Sequence, residues 1–140
     1  MSSPSEQIRA VGHEHVSAEH TSTLELTSDD YLTPAGDCIL GIEAQPVPAE
    51  FDPAVVSACQ ARDASIELVL EARGYRDVIT GRGDPSLSFD GDLSLVCRTS
   101  DYVDDRTVML EADKAAADVD RNLVGALADG ADLVATFSVE

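Results

Sequence analysis

The stretch SIELVLEARGYRDVIT, Ser65 to Thr80, decides the fold. Ile66, Leu68 and Leu70 alternate with Glu67, Val69 and Glu71, the period of a strand with one buried face, and Gly74 then turns the chain into a second strand over Tyr75 to Thr80. A turn this short makes the two strands an antiparallel hairpin. Working outward, the same alternation marks LVATFSV (Leu133 to Val139), HTSTLELT (His20 to Thr27) with Leu24 and Leu26 on one face, and DCILGIEA (Asp37 to Ala44) with Cys38, Leu40 and Ile42 on one face. Shorter strands are expected at Ile8 to His13, SLSF (Ser86 to Phe89) and RTVML (Arg106 to Leu110), and LSLVCR (Leu93 to Arg98) follows an Asp90-Gly91 turn.

Helical signals are two. Asp52 as N-cap with Pro53 behind it opens a helix running through about Arg62, and a second helix is expected from Lys114 to Ala128, with Asp113 as its N-cap and Gly130 ending it. Many hairpins and two helices predict an α+β domain over residues 8–140, with a largely antiparallel sheet curled or closed into a partial barrel and both helices packed on it. Residues 1–7, rich in serine, are expected to be a disordered tail.

A chain of 140 residues suits one domain, and with 44% apolar but only 4% aromatic residues the core must be mostly aliphatic. The 27 acidic residues outnumber 9 basic ones for a net charge of -18, which excludes sequence-independent attraction to nucleic acid or to anionic membranes. No apolar run approaches the roughly 20 residues of a membrane span, and MSSPSEQ has neither a basic nor an apolar leader region, so a cytoplasmic protein is expected. Among the basic residues eight are Arg and one is Lys. A lysine-poor carboxylate surface suits molar salt, where self-repulsion is screened, and predicts loss of structure at low ionic strength. Cys38, Cys59 and Cys97 are odd in number, widely spaced and without a CxxC, which fits free thiols in a reducing cytosol.

All three histidines, His13, His15 and His20, fall within GHEHVSAEH. His13 and His15, two apart on an extended chain, share a face, and with His20 and either Asp37 or Cys38 they form a candidate site for a divalent metal such as zinc. The plainer readings are loop hydrogen bonds or a single imidazole acting as acid or base. Cys38 would serve as a nucleophile if an imidazole lowered its pKa, although its phase with Leu40 and Ile42 favours burial.

Lys114, the lone lysine, stands where ADKAA is expected to open a helix. With the fork of Arg106, and with Arg98 and the capping Asp113 nearby, it makes a candidate anion site. The competing reading pairs Lys114 with Asp113 and Asp118 in a plain capped helix. GRGDP lacks the pattern of a phosphate loop, and Asp84 would repel an anion.

GHEHVSAEHTSTLEL, LTPAGDCILGIEA, GRGDPSL, RTSDYVDDRT and ADKAAADVDRNLV, in this order from about Ile8 to Val139, resemble a small archaeal family, domain of unknown function three-seventy-one, in a haloarchaeal form. Matching positions include Gly12, His13, His20, Asp37, Cys38, Arg98, Arg106, Asp113, Lys114 and Arg121. The resemblance implies a shared site but no activity. Relatives often carry His at the position of Asp84 and Lys at those of Ser22 and Thr99, so basic or ligand roles there do not transfer.

Three functions follow. The first is a binding module for a phosphate-bearing small molecule or an RNA end at Arg106 and Lys114. The second is a metal-dependent hydrolase or lyase using His13, His20 and Asp37 or Cys38. The third is a structural subunit without a ligand site.

Overall fold

Ile66, Leu68, Leu70 and Ala72 point into the core while Glu67 and Glu71 remain in solvent, so the hairpin forms as its alternation dictates. The computed structural model describes residues 3–140. Its strands are β1 (Ser5–Val11), β2 (Thr23–Thr27), β3 (Ile39–Gln45), β4 (Ser65–Ala72), β5 (Tyr75–Arg82), β6 (Ser94–Arg98), β7 (Thr107–Met109) and β8 (Asp132–Val139), with helices α1 (Pro53–Cys59) and α2 (Arg121–Ala128).

The strands form one eight-stranded sheet in the order β5-β4-β8-β1-β3-β2-β6-β7, parallel only at β2–β3 and β6–β7. The class is α+β. The sheet curls until its ends meet at one antiparallel bridge, Arg82 with Leu110, short of a continuous closed ladder. α1 packs against β8, while α2 lies over β3, β4 and β5. The three phenylalanines meet at one point of the aliphatic core, where Phe51, Phe89 and Phe137 lie with ring centroids 5.6 to 6.4 Å apart.

Several elements depart from expectation, each for a local reason. β1 begins at Ser5, inside the stretch read as a tail, because Ser5, Glu6 and Gln7 pair with Ser138, Phe137 and Thr136 of β8. It stops at Val11, since Gly12 passes so close to α2 that a Cβ would sit 2.0 Å from the Leu127 carbonyl oxygen. SLSF forms no strand: the Asp84 carboxylate accepts from the Ser86 amide and hydroxyl and winds the chain into a turn. α1 ends at Cys59, three residues before Arg62.

The second helix is the largest correction. It begins at Arg121, capped by Asp120, whose side chain accepts from the Asn122 amide. Upstream, the Asp118 carboxylate folds back to accept from the Ala115 amide, closing a 3-10 turn over Ala116–Asp118, and Val119 is then extended. Asp113 is therefore not an N-cap. The helix does end as read, with Gly130 at φ +86 and bonds from Gly130 N to Leu127 O and from Ala131 N to Ala126 O.

Candidate functional site

The histidine segment is a loop that uses its imidazoles to hold itself. His13 Nδ1 accepts from the His15 amide at 3.0 Å, and the two rings lie 5.2 Å apart. His20 Nδ1 accepts from the amide of Thr23 at 3.1 Å and stands 3.0 Å from its hydroxyl, which puts the proton of a neutral ring on Nε2 and delays β2 until Thr23. Asp37 meets His20 through its backbone, where its carbonyl accepts from the Glu19 and His20 amides. Among the described residues no three His, Cys, Asp or Glu side chains converge as a metal-holding group. His13 and His15 are thus not joined by His20, Asp37 or Cys38, and two of the imidazole lone pairs already serve loop amides.

Thr23 lies opposite Arg98 in the β2–β6 ladder, and this register gathers several of the singled-out residues. The half-buried Cys38 thiol donates to Glu25 Oε1 at 3.6 Å. Burial, and then the charge of Glu25, push its pKa to about 11, so it is a protonated thiol and not a ready nucleophile. Arg98 is 9% exposed; its Nε donates to Thr107 Oγ1 at 2.8 Å, its Nη2 donates to Asp104 Oδ2 at 2.9 Å, and the Tyr102 ring lies over it. Arg106 donates to the same Asp104 oxygen at 3.0 Å and lies 3.8 Å from Glu25. Burial works to raise the Asp104 pKa, but hydrogen bonds from Arg106 and the charge of Arg98 outweigh it and hold the carboxyl at about 2. Both arginines are therefore neutralised.

Lys114 is neutralised too, by a residue not considered from sequence. Its ammonium donates to Asp77 Oδ1, while Asp77 Oδ2 accepts from the Asp120 amide at 2.8 Å and so ties Lys114 to the start of α2. Asp113 turns instead to Thr80, accepting from its amide and hydroxyl at 2.9 and 3.0 Å. Among the described residues Arg106 and Lys114 share no partner, and the expected anion site between them is not formed there.

An open cleft of about 380 Å³ lies beside α2, lined by Arg73, Tyr75, Arg121, Asn122, Gly125, Ala126 and Asp129. Arg73 and Gly74 have φ of +49 and +81, making the two-residue type I′ turn of the β4–β5 hairpin, so an arginine occupies a left-handed position that asparagine or glycine normally fills. Arg121 donates to the carbonyls of Ala116, Val119 and Ala18 at 2.8, 2.9 and 3.1 Å, and it belongs to none of the ion pairs among the described residues. Arg73 reaches Asp129 at 3.5 Å, with the two side chains 53% and 73% exposed. Gly125 stands in mid-helix with nothing within 4 Å of where a Cβ would be. Apart from Arg121 these residues were missed from sequence, although an Arg-Gly hairpin turn and a glycine inside a short helix were legible signals. A second cleft of about 260 Å³, at Ser28, Gln45, Val47, Ala49, Glu50 and Asp92, has two carboxylates and no cation.

The chain belongs to the family described as Domain of unknown function (DUF371), which it matches over residues 8–140. It is 39% identical over 128 residues to the uncharacterized protein MJ0206 of Methanocaldococcus jannaschii, an alignment covering 91% of this chain and 93% of the relative. No helix among the described residues is long and apolar enough to cross a membrane.

Proposed function

We propose that the protein is a binding module for a phosphate-bearing ligand, a small molecule or an RNA end, held in the α2 cleft by Arg73, Arg121 and Asn122. The observation that carries this reading is the bonding of Arg121. Carbonyl oxygens orient a guanidinium without cancelling its charge, whereas the carboxylates on Arg98, Arg106 and Lys114 cancel theirs. The Arg73–Asp129 pair is exposed and contributes well under about 1 kcal/mol, so an incoming anion displaces Asp129 at little cost.

Two departures from local preference support the same place. A non-glycine residue in the left-handed region costs about 1 kcal/mol, and so does a glycine inside a helix. Arg73 supplies a cation from the first, and Gly125 keeps the cleft floor open through the second. The helix amides are not part of the site, because the Asp120 side chain already takes one of them.

Gly125→Ala and Arg73→Asn are the decisive variants, since each removes a strained or floppy position while filling or discharging the cleft. Both are expected to melt at or above the wild-type temperature, and both are expected to bind inorganic phosphate or pyrophosphate about tenfold more weakly by calorimetry in molar KCl. Wild-type protein that binds neither probe, or variants that bind as well as wild type, would end this reading.

A further inference from the structure

We infer that the unit bound in the α2 cleft is a nucleoside monophosphate, its base against Tyr75 and its phosphate between Arg73 and Arg121; this rests on the phosphate reading of the cleft. The protein divides its aromatic residues sharply. Phe51, Phe89 and Phe137 are 5%, 3% and 0% exposed, whereas Tyr31, Tyr75 and Tyr102 are 60%, 43% and 61% exposed. Tyr102 has Arg98 beneath its ring, and Tyr75 is the tyrosine that lines the cleft. Among the described residues no other ring or guanidinium stacks on Tyr75. Its backbone pairs with Ala72 directly after the type I′ turn.

Gly125 and Ala126 line the same open cleft as Tyr75 and add little bulk beside its ring, which leaves room for a flat ring to lie on it. The volume of about 380 Å³ falls within the range of roughly 300–1,000 Å³ for small-molecule sites and is far more than a bare phosphate fills. The Asn122 carboxamide has no protein partner among the described hydrogen bonds, and it offers one acceptor and two donors to a base or ribose edge. Charge limits the ligand to one such unit at this point. A strand continuing past the cleft would bring its next phosphates against Asp129 and the field of a chain of net charge -18.

Four probes test this by calorimetry: inorganic phosphate, adenosine, AMP and a 5′-phosphorylated triribonucleotide. AMP is expected to bind at least about tenfold more tightly than phosphate or adenosine alone, because base and phosphate contacts act together. Tyr75→Leu should bring AMP down to the phosphate level while leaving phosphate binding as in wild type, and Tyr75→Phe should retain AMP. In NMR spectra the Tyr75 ring signals should shift with AMP and not with phosphate. Phosphate bound as tightly as AMP overturns this inference and leaves the phosphate reading standing, whereas failure of both probes overturns the two together. A triribonucleotide that binds more tightly than AMP assigns the unit to an RNA end, and one that binds no better assigns it to a free nucleotide.

Discussion

Arg98 and Arg121 are both guanidiniums anchored by several hydrogen bonds, and they illustrate two different uses of the same group. Arg98 is buried beside β7, where Asp104 cancels its charge and Thr107 takes its remaining direction. Arg121 is exposed at the start of α2, tied to carbonyls of its own turn and of the histidine loop. The first arrangement closes the fold over a neutral pair. The second joins two segments and still leaves its positive charge without a carboxylate among the described ion pairs.

The largest expected effect is global. At net charge -18, lowering KCl from about 3 M to about 0.1 M lengthens the Debye distance roughly fivefold and should lower the melting temperature. Hydrogen exchange should rise first in the acidic segment 99–106 around Asp101, Asp104 and Asp105, and later in α2; an unchanged melting temperature would remove the salt-adaptation reading. Next in size are the two arginines themselves. Arg98→Ala empties a buried position and removes its bonds to Thr107 and Asp104, leaving Asp104 to Arg106 alone, and should cost about 3 kcal/mol in denaturant unfolding, whereas Arg121→Ala exposes carbonyls that water can reach and should cost about 1–2 kcal/mol. Equal losses would break the contrast drawn between them.

The smallest effect is confined to acid. An aspartate in the unfolded chain titrates near 3.9, and folded Asp104 near 2, so the stabilisation from its protonation equilibrium is complete above about pH 4 and is lost as pH falls through about 2. Asp104→Asn should flatten most of that limb. The remainder belongs to carboxyls such as Asp77, whose pKa is also lowered because the hydrogen bonds from Lys114 and the Asp120 amide overcome its burial. An acid limb as steep in Asp104→Asn as in wild type would contradict the assignment.

What the sequence made legible was what repeats locally. The alternation in SIELVLEA and LVATFSV gives β4 and β8 over the expected residues, and the Gly130 ending of α2 follows from one residue type. Side-chain competition with the backbone was not legible. ADKAAADVD has the composition of a helix, yet Asp118 bends back on Ala115 and Asp120 becomes the cap. Arg98, Arg106 and Lys114 were grouped by sequence as one anion site, whereas carboxylates take up all three. Their partners were hidden by distance along the chain: Asp77 lies 37 residues from Lys114. Arg73 and Gly125 escaped notice for a different reason, since each is a poor local choice whose sense emerges only when hairpin and helix come together.

The open edge of the sheet at β5 bears on how the protein behaves in a crowded solution. β5 is a terminal strand, and a bare strand edge is a template on which a second chain can build. Its outward amides are all but spoken for: Arg82 N donates to Leu110 O, Thr80 N to the Asp113 carboxylate, and Val78 N to the Asp77 carboxylate. Asp113, first read as a helix cap, thus acts as a plug along the rim of the sheet, holding the Thr80 amide that an added strand would need.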